Sequence, residues 1–159
     1  LTYKEELIKL TAAYDEKLAL SREVGPDHYD PGMMENLEQY KGVYDEAIKQ
    51  IVIRCELKGL RYDNRTASLE VMAVGDDVSV VRDASNMFNS NNFSVSSVSG
   101  ASLGYLPAEL CNVLGPLYDA GCASIISSVI TYIEKIGQRS RYAKQGILFV
   151  ELIIKLRGI

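Results

Sequence analysis

The chain has 159 residues, of which 47% are hydrophobic and 24% charged, and its formal net charge is −4. These proportions are typical of a folded globular domain, and they exclude extensive disorder, a collagen-like chain and a long coiled coil. The length predicts one domain, residues 1–159, with a single hydrophobic core.

The charge is unevenly distributed along the chain. Residues 1–50 contain eleven acidic and six basic side chains, and an acidic segment does not favour binding to nucleic acid. A small basic group, Arg139, Arg141 and Lys144, precedes the last apolar run. It would serve a nucleic-acid-binding module, but it falls below the usual basic footprint. We therefore do not expect nucleic acid as a partner.

The cysteines, histidine and N-terminus provide little further chemistry. Three cysteines without CxxC spacing predict neither a disulfide framework nor a zinc site. The one histidine, His28, lies between loop acids, and no glycine-rich phosphate loop is present. No signal-type apolar segment and no run of 18 apolar residues occur. These features predict a cytoplasmic protein without a membrane segment or a cofactor.

The N-terminal third has the periodicity of two helices. Thr2 and Glu5 have capping-box spacing, which predicts a helix from Tyr3 to Glu23. A second apolar stripe predicts a helix from Met33 to Lys58. The short connection favours an antiparallel helical hairpin. The residues of these stripes that we select as a binding surface are Leu7, Tyr14, Tyr40 and Tyr44.

The middle of the chain is richer in β-branched residues. Leu69–Val74 and Val78–Asp83 are joined by Gly75, Asp76 and Asp77, a pattern that predicts a β-hairpin. A helix is the alternative, because several apolar positions between residues 69 and 88 also fall loosely on one face.

The turn itself offers the best candidate for metal chemistry. An apolar run, Gly75-Asp76-Asp77 and a second apolar run resemble the metal-binding motif of viral RNA-dependent RNA polymerases. The resemblance implies that Asp76 and Asp77 are ligands of divalent metal ions, which prefer carboxylate oxygens. It covers about ten residues, and the upstream aspartate strand and Ser-Gly motif of that family are missing. The triplet therefore favours a simple turn.

A polar stretch from Asn86 to Gly104 follows. It is dominated by Asn, Ser and Gly, with a short strand predicted at Phe93–Val98. A polar segment of this length predicts a functional loop, either a lid or an arm that a partner orders. The residues that we select for partner contact are Asn91, Asn92 and Phe93.

The C-terminal third combines two helical patterns and one strand pattern. A short helix is predicted from Pro107 to Leu114, broken by Gly115-Pro116, and a buried helix from Ala120 to Ile136. The last run, residues 146–159, alternates between an aliphatic face and a mixed face, which favours a long strand.

These patterns together predict a helix-dominated α+β fold, in which the helical hairpin packs on a small antiparallel sheet; an all-α fold is the alternative. The favoured function is a non-enzymatic interaction protein or structural subunit, such as one in a phage or bacterial assembly, with a protein partner or a second copy. A metal-dependent enzyme using Asp76 and Asp77 and a nucleic-acid-binding module are alternatives. No catalytic residue is identified.

Overall fold

The computed structural model describes residues 2–24, 44–60, 65–137 and 146–158. Its helices are α1 (Tyr3–Val24), α2 (Arg65–Ser68), which continues into a 3-10 turn (Leu69–Val71), and α3 (Ala108–Asp119). The strands, in chain order, are β1 (Gln50–Glu56), β2 (Val78–Asp83), β3 (Asn92–Ser97), β4 (Ser102–Tyr105), β5 (Ala123–Glu134) and β6 (Ile147–Leu156).

The strands form two antiparallel sheets of three strands each. The first has the order β1-β6-β5 and the second the order β2-β3-β4. Isolated backbone bridges join them at both edges: Asp77 pairs with Val129 of β5, and Lys58, just after β1, pairs with Tyr105 of β4. The hydrogen-bonded order therefore closes into a ring, β1-β6-β5-β2-β3-β4, which makes the arrangement barrel-like.

A glycine permits one of these two junctions. Gly104 has a φ of +120°, which side-chain-bearing residues rarely adopt, and a Cβ there would collide with the Lys58 carbonyl. Because Gly104 has no side chain, the two backbones approach closely. Lys58 and Tyr105 exchange backbone hydrogen bonds of 2.9 Å in each direction. The junction brings the end of β1 beside the end of β4.

The core lies between the sheets and under α3. Alternate residues of β6 point into it, all of them at most 1% exposed: Leu148, Val150, Leu152, Ile154 and Leu156. From β3, Phe93 and Val95 point inward, and from α3, Leu110 and Leu114 do so. Burial of these aliphatic side chains provides the main stabilisation of the fold.

The first helix packs against β1 and α3 and is tied to the first sheet by a buried charge cluster. Arg54 of β1 donates to Glu151 of β6 at 2.9 Å and lies 3.7 Å from Asp15 of α1. Leu18 packs with Tyr132 and Phe149 on the same side. The prediction of an N-terminal helix is confirmed, and no helix within the described ranges is both long enough and apolar enough to cross a membrane.

The predicted second helix, Met33–Lys58, is wrong where it can be compared. Residues 25–43 lie outside the described residues, but Gln50–Glu56 form strand β1. Ile51 and Cys55 are four residues apart, so they share a face in a helix and also in a strand. Their spacing could not discriminate between the two, and the second helix of the predicted hairpin does not include Gln50–Glu56.

The predicted β-hairpin is also wrong. Its second half is strand β2, but Leu69–Val71 form a 3-10 turn and do not pair with it. Gly75 adopts a φ of +94°, and its amide donates to the Ile130 carbonyl of β5 at 2.8 Å. The Gly-Asp-Asp triplet therefore lies at a turn, as favoured. It does not join two strands of one hairpin, however: it contacts β5 of the first sheet and leads into β2 of the second.

The predicted helix Ala120–Ile136 is strand β5. Its register against β6 shifts twice, between Ile125 and Ser127 and between Ile130 and Tyr132. Each bulge adds a residue and reverses the phase of the alternation. Because of these two shifts, the apolar residues of β5 no longer alternate strictly, and their spacing resembles that of a helix. The many β-branched residues nevertheless favour a strand.

Three further predictions have mixed outcomes. The strand near Phe93 is confirmed as β3 and the C-terminal strand as β6, but residues 102–104 of the predicted loop belong to β4. Helix α3 does not break at Gly115-Pro116 but continues to Asp119, because Leu114 and Leu117 on either side are buried. The helix-dominated α+β fold is therefore wrong: six strands in two antiparallel sheets dominate the described chain.

Candidate functional site

A groove opens at the junction of β1 with β4. Its volume is about 840 Å³, and it is bounded by the end of β1, the end of β4, the loop before β3 and the start of α3. Among the described residues, apolar and amide side chains line most of it, together with two cations, Lys58 and Arg65, and none of these lining residues is acidic. A groove of this composition fits a ligand that combines flat apolar groups with negative charge.

Arg65 forms the inner wall of the groove together with Tyr105. The arginine is only 5% exposed, and it donates to Ser102 Oγ at 2.9 Å, to the Gly59 carbonyl at 3.0 Å and to Tyr105 Oη at 2.8 Å. Its guanidinium carbon also lies 4.6 Å from the centre of the Tyr105 ring. These contacts fix the tyrosine ring and place a permanent positive charge beside it.

The outer wall is a loop between β2 and β3 that presents two apolar side chains to solvent. Met87 is 93% and Phe88 96% exposed. The loop is nonetheless hydrogen-bonded: Asn86 Oδ1 accepts from the amides of Phe88 and Asn89 at 2.9 and 3.0 Å. Asn89 Oδ1 in turn accepts from the Asn91 amide. The hydrogen bonds therefore hold the backbone of the turn while the Met87 and Phe88 side chains stay exposed beside the groove.

Helix α3 supports this loop from behind. Asn112 Oδ1 accepts from Asn89 Nδ2 at 3.2 Å and from Asn91 Nδ2 at 3.5 Å. Gly115 lies against Asn91, whose Cβ would be 2.9 Å from a Cβ at that position. A glycine in mid-helix normally costs stability, and here it gives the loop room to pack on the helix.

Arg82 at the end of β2 holds the other side of the loop. It forms a bidentate pair with Asp119 at 3.0 and 2.9 Å, and its Nη1 donates to the Ser90 carbonyl at 2.6 Å. The hydrogen bond with Asp119 raises the pKa of Arg82 and lowers the pKa of the Asp119 carboxyl. The paired guanidinium therefore connects β2, the loop and the end of α3.

The residues selected from the helical stripes do not form a common surface. Leu7 is fully buried, and Tyr14 is buried, where it donates to Glu109 Oε1 at 2.9 Å. Burial raises the pKa of Tyr14, so the phenol remains protonated. Tyr44 lies under the Lys4 ammonium, 4.7 Å from the ring centre. Tyr40 lies outside the described residues.

The residues selected from the polar stretch lie next to the groove but mostly face inward. Phe93 is fully buried and Asn92 is 5% exposed, while Asn91 is half-buried against α3. The selected segment therefore borders the groove, but its aromatic residue Phe93 packs in the core. The sequence did contain a signal for the exposed aromatic side chain of the groove, because Phe88 is surrounded by asparagines.

The two predicted metal ligands are used in backbone structure. Asp76 Oδ2 accepts from the Ala73 amide at 2.9 Å, and Asp77 forms the bridge to Val129. Within the described ranges no group of three or more Asp, Glu, His or Cys side chains is arranged to hold a metal ion. The basic group Arg139, Arg141 and Lys144 lies outside these ranges.

Comparison with known proteins identifies a family over more than half of the chain. The model of the HIRAN domain family matches residues 51–145. A crystal structure of a protein from Lactobacillus plantarum is 24% identical, over 65% of this chain and 97% of that one, with a TM-score of 0.49. The crystal structure of the HIRAN domain of human HLTF is 24% identical, over 67% and 77%, with a TM-score of 0.49.

An NMR structure of the human HLTF HIRAN domain in its DNA-bound conformation is 22% identical, over 67% of this chain and 76% of that one, with a TM-score of 0.42. No curated protein sequence matches the chain significantly. The matched residues, 51–145, include every residue named above as a wall or support of the groove.

Proposed function

The chain belongs to the HIRAN domain family, and from this we propose that it is a DNA-binding module whose groove holds bases of a single strand. Another member of the family, the HIRAN domain of human HLTF, has been determined in a DNA-bound conformation. In this chain, the observation that carries the proposal is the exposed Phe88 ring, which lines the same groove as the Arg65–Tyr105 pair.

The family assignment corrects the favoured prediction from the sequence. A structural subunit that binds a protein partner or a second copy is not supported, and the expectation that nucleic acid is not a partner is wrong. The error arose from the acidic N-terminal segment and from the small size of the basic group Arg139, Arg141 and Lys144, whereas binding depends on the local surface. A groove that presents cations can bind a polyanion on an acidic protein.

Single-stranded DNA fits the groove better than a duplex. In a duplex the bases are stacked on one another, so an exposed side chain such as Phe88 reaches only their edges or the backbone. An unpaired base can stack on an aromatic ring, and such stacking contributes about 1–3 kcal/mol per base. The half-exposed Lys58, which also pairs with Glu56 at 3.5 Å, lies at the rim, where it can approach a phosphate.

The proposal is tested by replacing the exposed ring and measuring binding of a fluorescent single-stranded oligonucleotide by anisotropy. Phe88→Ala removes a side chain that is 96% exposed, so the melting temperature should not change. Loss of one stacking contact should weaken binding by about 5- to 100-fold. Wild type should bind the single strand more tightly than the corresponding duplex.

Ile126→Ala is the matched control, because Ile126 is 50% exposed on β5, away from the groove. It should leave binding unchanged. Absence of binding by wild type at low salt, or equal affinity of Phe88→Ala and wild type, would refute the proposed function.

A further inference from the structure

A second cationic surface lies at the opposite end of β1 from the groove. A cleft of about 470 Å³ is formed by the turn before β1 and the end of β6. Three of its lining residues are cations, Lys49, Lys155 and Arg157, and none of the lining residues that the structure describes is acidic. This surface, the basic cleft, has no role in the groove described above.

The three cations are available to a ligand. Lys49 and Arg157 are exposed and Lys155 is half-buried, and the structure records no ion pair for any of them with the described residues. The pairing partners of Lys155 on both neighbouring strands, Gln50 and Ser124, are neutral. Unpaired cations held close together repel one another and favour an anion between them.

Two acids occur in the same turn, but both have other contacts. The Asp45 carboxylate accepts from the Ala47 amide at 3.0 Å, and Glu46 pairs with Lys4 of α1 at 3.4 Å. Neither lines the cleft. The described lining residues of the cleft therefore carry a net positive charge, although residues 1–50 are acidic as a whole.

The backbone at Lys49 is a second, independent observation. Its φ is 54°, and among the described residues it is the one non-glycine position with a positive φ. Its carbonyl accepts from the Leu156 amide at 2.9 Å, which holds the turn against β6. Glycine or asparagine suits this conformation better than lysine. A lysine at a strained position at the mouth of a cationic cleft points to a role for its side chain.

We propose that the basic cleft binds the phosphate backbone of the same DNA strand after it leaves the groove. This inference rests on the proposed function. Lys49 and Lys58 are nine residues apart, and at about 3.3 Å per residue the cleft and the groove lie on the order of 30 Å apart. Single-stranded sites in proteins cover about 4–16 nucleotides. A short oligonucleotide therefore fills the groove alone, and a longer one reaches the cleft.

The test compares oligo-dT of 4 and 14 nucleotides on the full chain, by anisotropy for the longer and by NMR titration for the shorter. The variant Lys49→Gly/Lys155→Gln/Arg157→Gln should bind the 14-mer at least about tenfold more weakly and the 4-mer within about twofold of wild type. The slope of log affinity against log salt should fall by about 2 for the 14-mer, since each lost phosphate contact with a single strand removes about 0.7.

Three single variants, Lys49→Gly, Lys155→Gln and Lys9→Gln, separate the effect of charge position from that of folding. Lys49→Gly should bind the 14-mer about two- to threefold more weakly while its melting temperature stays equal or rises, because glycine accepts the φ of 54°. Lys9→Gln removes an exposed lysine of α1 and should change 14-mer binding by a smaller factor than Lys155→Gln does.

The outcomes distinguish the two proposals. If the 14-mer binds in a Phe88-dependent way but the triple variant keeps the wild-type slope, the inference about the basic cleft is overturned and the groove stands. If the 14-mer binds no more tightly than the 4-mer, the cleft is likewise excluded. If neither oligonucleotide binds, the proposed function fails and the inference fails with it.

Discussion

The two sheets of the barrel-like fold have opposite compositions. In the first sheet, β6 buries five aliphatic residues, and α1 covers the outer side at Phe149. In the second sheet, β3 alternates inward Phe93 and Val95 with half-exposed serines, and its flanking loop presents Phe88 to solvent. The first sheet thus contributes a long run of aliphatic side chains to the core, and the second carries the loop that lines the groove. Because the loop lies apart from the core, its sequence can change without destabilising the core.

We expect side-chain truncation at a buried position of the first sheet to destabilise the fold far more than truncation at an exposed position of the second. Leu152→Ala in β6 removes a fully buried side chain and should lower the free energy of unfolding by about 3 kcal/mol. Val81→Ala in β2, where the side chain is 56% exposed, should lower it by less than about 0.5 kcal/mol. Urea unfolding followed by circular dichroism measures both. Equal losses would show that the second sheet carries more of the stability than its burial indicates.

A smaller effect is expected where the second sheet meets α3. The hydrogen bond from Arg82 lowers the pKa of Asp119, so the pair stabilises the folded state above the unfolded carboxyl pKa of about 3.9. This stabilisation is lost as the pH falls through the lower, folded-state pKa. The methyl resonance of Met87 should therefore shift with an apparent pKa below 3.9 as the loop loses its anchor.

Asp119→Asn should abolish this titration step. Arg82→Lys keeps the charge but cannot form the bidentate pair, so its Met87 resonance should differ from that of wild type even at neutral pH. Persistence of the same step in Asp119→Asn would assign it to another carboxyl, such as Asp83, whose pKa is lowered by its hydrogen bond from Ser85.

The smallest expected effect is a difference in thiol reactivity, without change in stability. Burial raises the pKa of Cys111 to about 11 and raises that of Cys55, whereas Cys122 is half-exposed before β5. Since the thiolate is the reactive form, iodoacetamide at pH 8 should modify Cys122 alone in the folded protein. Mass spectrometry counts the adducts, and complete unfolding in urea should give three. Rapid modification of Cys55 or Cys111 in buffer would indicate local opening of the core.

Strong local patterns were sufficient for part of the fold. The capping box and stripe predicted α1, and the unbroken alternation of residues 147–156 predicted β6, because in both cases one period extends over many residues. Residues 86–91 were also predicted to form a loop, and they do, since polar turn residues of that density rarely form regular structure.

Elements with interrupted or ambiguous periods were decided only by the tertiary structure. Ile51 and Cys55 suit a helix or a strand, and the bulges of β5 disguise its alternation. The groove is harder to predict from the sequence than any single element. Arg65, Phe88 and Tyr105 come from three separate segments, and these meet only when Lys58 pairs with Tyr105. A sequence determines local periodicity and composition by itself. The long-range hydrogen bonds that close the ring select among local alternatives of similar energy, and they create the site.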